Sequence, residues 1–202
     1  MHIPKGNTAG IEVLPFSEAL EAALVEQSAY NVEKWLYVPC RYDEYRYILG
    51  TRGKKPLICV GINPSTAEPD NLDPTLKSAQ RIAHHNGYDS FLMFNVYAQR
   101  ATNPDDMEKE YNAWLQRENE KAFSYLLDLC GDRPAIWAAW GNLIEKRPYL
   151  IPCVSELIRL GNERGATWYH AGAISAHGHP HHPLYLKKDS VLEPFDVSFY
   201  TK

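Results

Sequence analysis

Leu57 to Ala67 reads Leu-Ile-Cys-Val-Gly-Ile-Asn-Pro-Ser-Thr-Ala. Its first five residues are apolar or small, with β-branched members, and Pro56 bounds the run. A short apolar run between breakers predicts a strand buried on both faces. Gly61 lets the backbone pass close to a neighbour, and Asn63-Pro64-Ser65 ends the strand in a polar turn. Open α/β sheets bind their ligands where such strands end, so Asn63 is the first candidate for chemistry.

Working outward, Asp73-Pro74-Thr75 opens a helix, with Asp73 at the N-cap and Pro74 at the first helical position. Asn86-Gly87 stops it. Phe91 to Tyr97 predicts a second buried strand. A long helix follows from Asp105 or Asp106 to about Cys130, carrying Trp114, Leu115, Phe123, Leu126 and Leu127. Ala135 to Trp140 is a third strand, Pro148 to Leu160 a helix closed by Gly161, and Ala166 to His170 a fourth strand. On the N-terminal side, Ala19, Leu20, Ala23 and Leu24 have helical spacing, predicting a helix from Ser17 to Tyr30 with Ser17 at a capped start. Arg41 to Leu49 alternates as a short strand, with a turn at Gly50 to Gly53. Strand and helix alternate with short links. The expected fold is therefore α/β, a three-layer α/β/α sandwich on a central, mostly parallel four-stranded sheet. Residues 1–55 form an N-terminal helical and short-strand segment packed on a core of residues 56–202, one domain in all.

Composition narrows the function. At 202 residues, 45% hydrophobic and 23% charged, the chain makes one globular domain. The net charge of -4 provides no general basic field for nucleic acid, so DNA contact would come from a local patch or from backbone amides. Residues 1 to 15 lack the apolar core of a secretory signal, and no stretch is long enough to span a bilayer. Cys40, Cys59, Cys130 and Cys153 form no Cys-x-x-Cys pair, which argues against a zinc ribbon or iron–sulfur cluster and fits reduced cytosolic thiols. The expectation is a cytoplasmic protein with no cofactor.

The strand ends carry Gly61-Ile62-Asn63-Pro64-Ser65, Asn95 and Trp140-Gly141-Asn142, and the fourth strand leads to His177-Gly-His-Pro-His-His-Pro-Leu184. In a parallel sheet these ends share one edge and converge on one pocket. Each has a plainer reading. Asn-Pro is a common strand-to-loop turn, Asn95 can cap a buried backbone group, Trp140-Gly141 can serve packing, and Asp73 is first a helix cap. His177, His179, His181 and His182 could face one way and ligate a transition metal. No carboxylate lies within that cluster and Pro180 constrains it, so no metal is expected. His84-His85 belong to the surface near a helix end. Arg41, Arg46 and the tyrosines beside them could touch nucleic acid, although a packed amphipathic strand explains them better.

The ordered set Gly61-x-Asn63-Pro64, Leu92-x-x-Asn95, Arg100-Ala101, Trp140-Gly141-Asn142 and His182-Pro183-Leu184 resembles the uracil-DNA glycosylase superfamily over roughly residues 56 to 186. A closer similarity is to a bacterial and phage family marked by Asn-Pro-Ser-Thr-Ala, Asp-Pro-Thr and His-Pro-Leu-Tyr, read as a distant branch of those glycosylases. The resemblance implies a uracil-DNA glycosylase-like fold, with DNA as partner. It also implies that Asn63 and His182 are catalytic, Asn63 holding a water behind the sugar and His182 stabilising the departing base. Asn95 would read the base edge. Gly61, Ile62, Pro64, Ser65 and Asn142 would join it at the substrate, while Thr66, His181, Pro183 and Leu184 would touch DNA. Serine is absent after His182-Pro183, and residues 66 to 80 contain no aromatic to stack on a flipped base. That absence fits a wider pocket for a bulky modified base, including a phage hypermodified one. It equally fits a rival expectation, a nucleotide- or base-binding protein without glycosylase activity.

Overall fold

The computed structural model describes residues 1–201. At its centre is β3 (Pro56–Gly61), paired in parallel with β4 (Ser90–Asn95) on one side and β5 (Ala135–Ala138) on the other. β6 (Thr167–Ala171) continues the parallel run beside β5. These four strands are the parallel core expected from the sequence. Antiparallel strands flank them: β1 (Trp35–Val38) and β2 (Ile48–Thr51) beyond β4, and β7 (Leu192–Pro194) beyond β6. The described residues thus form a seven-stranded mixed sheet in the order β1-β2-β4-β3-β5-β6-β7, not a four-stranded one. Residues 1–55 contribute two of its strands, so this segment is built into the sheet; residue 202, the end of the expected core, lies outside the described residues.

The continuous apolar run of β3 exists because both faces are covered. Ile58 and Val60 point into one cluster with Leu92, Phe94 and Ile136, roofed by α1 (Phe16–Leu24), α3 (Ala113–Leu129) and α4 (Leu150–Glu163). Leu57 and Cys59 point the opposite way, with Phe91, Met93 and Trp137, onto α2 (Pro74–His85). Alternate residues therefore enter different layers. The result is three layers, with three helices on one face of the sheet and one on the other.

α2 begins and ends where its sequence predicts. Asp73 accepts a hydrogen bond from the Leu76 N–H at 2.9 Å, and Gly87 takes the left-handed conformation past the last turn. The other three helices depart from expectation for tertiary reasons. α1 starts at Phe16 because its free N–H is capped by the Glu118 carboxylate of α3 at 2.7 Å; Ser17 makes no cap, and the helix stops at Leu24, short of Tyr30. α3 starts at Ala113, capped by Asn112, not at Asp105 or Asp106. Asn103 caps only a 3₁₀ turn at Pro104–Asp106. Beyond it Glu108 is pulled out of helical register by Thr8, Gln99 and Tyr97, and Arg147 takes the Met107 and Glu108 carbonyls. α4 runs through Gly161, whose missing side chain lets Trp168 pack close, and Gly165 ends it instead.

The tyrosine alternation in residues 41–49 is real but is not a strand of that length. Residues 39–47 form a link between β1 and β2 with one bridge, Tyr45 to Gln99. Tyr45 and Tyr47 are buried and clamp residue 14, accepting from its N–H and donating to its carbonyl at 3.0 Å each. Gly50 lies within β2 and not in a turn, pressed against the backbone of Phe91 and Leu92. β7 carries no apolar alternation of its own and is tied down by Asn86, which accepts from Leu192 N at 2.9 Å. No described helix is long and apolar enough to cross a membrane.

Candidate functional site

The chain leaves β3 for β4 through α2 on one face and leaves β5 for β6 through α4 on the other, so β3 and β5 flank a topological switch point. Open α/β sheets bind ligands there, beyond the carboxyl ends of the strands. A cavity of about 700 Å³ occupies that place, within the usual size of a small-molecule site. Gly61, Ile62, Asn63, Ser65, Thr66, Asn95, Asn142, His181, His182 and Leu184 all border it.

Asn63 is held from both ends. Its Nδ2 donates to the Pro64 carbonyl at 3.0 Å and to the Ala101 carbonyl at 2.8 Å. Both amide hydrogens are thereby used, and what Asn63 offers the cavity is an acceptor, its Oδ1. Asn95, at the end of β4, is the reverse case. It is 1% exposed, and neither its Nδ2 nor its Oδ1 has a hydrogen-bond partner among the described residues. Its backbone carbonyl is fixed by Asn119 Nδ2 at 3.0 Å. Gly61 makes room for it, since a Cβ there would sit 3.1 Å from Asn95 Oδ1 and 2.6 Å from Met93 Cε. A buried amide with donor and acceptor both free costs about 1–3 kcal/mol, and such an expense recurs where a ligand completes the pairing.

His182 also borders the cavity, at the start of a 3₁₀ turn spanning Pro183–Tyr185. Its Nδ1 accepts from the Leu184 N–H at 3.4 Å, which leaves the proton of the neutral ring on Nε2. Burial pushes the imidazole below its ordinary value of 6.5, against the pull of the Asp73 carboxylate. It is therefore a neutral N–H donor at pH 7. Gly141, at φ +64°, passes close beneath, with its Cβ position 3.6 Å from His182 Cβ.

The other histidines of the same loop divide between two jobs. His181 borders the cavity. His179 is fully buried: Tyr200 Oη accepts from Trp140 Nε1 at 2.9 Å and lies 2.7 Å from His179 Nδ1. With Tyr200 donating, His179 Nε2–H donates to Glu145 at 3.1 Å. His179 and then His177 hold the Glu145 carboxyl below the usual carboxylate range. The carboxylate absent from the histidine stretch is thus supplied by a distant residue, and the chain Trp140–Tyr200–His179–Glu145 braces the loop that presents His182. Among the described residues no three His, Cys, Asp or Glu side chains gather as a metal site. His84 is exposed at the end of α2, paired with the Tyr88 carbonyl.

Two expected contacts lie off the cavity wall. Pro64 is buried, and its carbonyl receives Ala101 N–H at 2.9 Å besides Asn63. Pro183 is also buried, its carbonyl taking Ser78 Oγ of α2 at 2.8 Å. Both prolines are buried, and through their carbonyls they hold loops in place. Ser65 Oγ donates to Thr102 Oγ1 at 3.1 Å, so its hydroxyl hydrogen is already used. Leu184 and Tyr185, by contrast, stand 45% and 78% exposed at the rim.

Two side chains that sequence reasoning did not place in the site are there. Asp73 caps α2 with one oxygen and borders the cavity. Arg46 reaches the cavity while being 1% exposed. The cap was legible in Asp-Pro-Thr, but its position facing His182 was not. For Arg46 the only signal was a cation set between two tyrosines that both proved buried.

These features define an α/β protein whose mixed sheet, parallel at its core, carries at the switch point a cavity bordered by several polar side chains. Residues 46–184 match a family described as a protein of unknown function (DUF1643), and the chain belongs to that family. No curated protein and no solved structure gives a match.

Proposed function

We propose that the chain is a DNA glycosylase, a distant branch of the uracil-DNA glycosylase superfamily, that hydrolyses the N-glycosidic bond of a damaged or modified base and leaves an abasic site. One observation carries the reading: the Asn95 amide is buried and unpaired on both atoms in a cavity that also holds the Asn63 acceptor and the neutral His182 donor. An amide presents a donor and an acceptor side by side, which is the complement of a base edge.

In this mechanism Asn63 Oδ1 accepts a hydrogen bond from a water and holds it behind the sugar. The water oxygen bonds to C1′ and its proton passes to solvent. The base departs with the electron pair of the C1′–N bond and takes up a proton in turn. His182 Nε2–H faces the charge that builds on the leaving base. A preorganised donor of that kind is worth about 3–4 kcal/mol, or 10²–10³ in rate. Exposed Leu184 and Tyr185 provide the apolar wedge that enters the stack as the base leaves it. The volume of the cavity and the lack of an aromatic between residues 66 and 80 favour a bulky base such as a phage hypermodified one, and hence a role in defence or repair.

The net charge of -4 favours a second reading, a binder of free nucleotides or bases that cleaves nothing. A glycosylase binds DNA with a steep salt dependence and a nucleotide binder does not. The direct test is base release from uracil-containing, deaminated, alkylated and phage-hypermodified DNAs, scored by alkaline cleavage. Release from one DNA, lost in Asn63→Ala and in His182→Ala, is the expected result. Silence across the panel together with absent DNA binding removes the glycosylase reading.

A further inference from the structure

Arg46, which borders the cavity, and Arg100 beside it are 1% and 0% exposed. A buried guanidinium is ordinarily matched by a carboxylate. Among the described residues neither has one within 4.0 Å. Arg46 Nη1 donates to the Ala67 carbonyl at 3.2 Å, and Arg100 donates to the Ser65 and Ala67 carbonyls and to Tyr37 Oη. Arg100 also stacks over the Tyr42 ring at 4.1 Å. Arg100 is left with only its Nε unpartnered. On Arg46 both Nε and Nη2 have no partner. Burial, with Arg100 as a second cation beside it, pushes Arg46 down to about 9, which leaves it charged at neutral pH. The carboxylate it senses most is Asp73, which caps α2 and makes no ion pair with it.

Arg46 borders the same cavity as Asn95. The first turn of α2 also borders it through Thr75 and adds a partial positive charge. We infer that Arg46 is an anion-binding residue of this cavity, and that the ligand carries an oxyanion, a carboxylate or phosphate, which accepts from Arg46 Nε and Nη2. The planar fork of a guanidinium matches two oxygens of such a group. This rests on the base-release reading only for the nature of the rest of the ligand, a nucleobase. The oxyanion belongs either to a substituent on the base or to the phosphate of a nucleotide.

The probes are inorganic phosphate, 5-carboxyuracil against uracil, and deoxyuridine 5′-monophosphate against deoxyuridine, titrated calorimetrically at low salt into the full chain. At least one anionic probe is expected to bind on the order of tenfold or more tighter than its neutral counterpart, the contribution of a charge-assisted hydrogen bond. The gap is expected to vanish in Arg46→Met and in Arg46→Gln, the latter keeping a donor for the Ala67 carbonyl should the former not fold. A gap for 5-carboxyuracil places the anion on the base, and one for the monophosphate places it on the sugar. Equal binding of both pairs, no binding of any anion, or a gap that survives removal of Arg46 overturns the inference. Base release without an anion preference would sink this inference alone, and an anion preference with neither base release nor DNA binding would sink the glycosylase reading alone.

Discussion

Replacing Asn95 by leucine separates the cost of a ligand-reading group from its use. The two side chains have similar shape, and the site is 1% exposed. In the unliganded protein the amide pays desolvation on both polar atoms with no hydrogen bond in return. Removing that recovers about 1–3 kcal/mol, and the misfit of an isosteric swap takes back up to about 1.5 kcal/mol. Asn95→Leu should therefore be neutral or stabilised by up to about 3 kcal/mol. For a chain of this length that means a midpoint raised by at most about 10 °C. Base release should fall on the order of 10²-fold or more, since a base edge would face hydrocarbon. The measurements are urea unfolding, with an unchanged m-value required for a two-state comparison, and single-turnover excision on the best substrate found. Destabilisation by more than about 1 kcal/mol would refute the claim that the amide is unpaired in the fold. Undiminished excision would remove Asn95 from base reading.

Three further outcomes follow from the same geometry. Asn63→Asp puts an oxygen where Nδ2 now meets two carbonyls at 2.8 and 3.0 Å, so chemical denaturation should show a loss of about 1–3 kcal/mol even though a carboxylate is the better base. The folded-state pKa of His182 lies below its unfolded value of 6.5. The unfolded chain thus takes up a proton first as the pH falls, stability declines from about 6.5 down to the folded pKa, and His182→Gln should lack that component in a pH series of melts. Gly50→Ala would place a Cβ onto the Phe91 carbonyl and 2.7 Å from Leu92 Cα; between two paired backbones nothing can yield, and a loss of at least about 3 kcal/mol, or no folded protein on expression, is expected.

Much of the site was legible because it is written in local signals. Gly61 to Ser65, Asn95 and Trp140 to Asn142 each follow a short apolar strand, and parallel strands place their ends together whatever lies between them. The cavity accordingly gathers Asn63, Asn95, Asn142 and His182. The burial of Pro64 and Pro183 was not legible, because a proline's place in a motif does not say which way its loop turns. Pro183 is turned onto Ser78, over a hundred positions away in the chain.

The boundary between the two kinds of information runs through the hydrogen-bond partners. Four parallel strands, α2 with its Asp73 cap and Gly87 stop, and the edge where the polar strand ends gather follow from the sequence alone, because side-chain periodicity and capping act within a few residues. The start of α1, the delay of α3 from Asp105 to Ala113, the edge strands β1, β2 and β7, and the unpaired Arg46 were decided only by the tertiary structure. For the helix starts and for β7 a deciding atom comes from far along the chain: Glu118 for the Phe16 N–H, Thr8 for Glu108 and Asn86 for Leu192, while Arg46 is set apart by the lack of any carboxylate partner among the described residues. A buried polar group must find a partner somewhere, and where it finds one, or fails to, is a property of the folded chain.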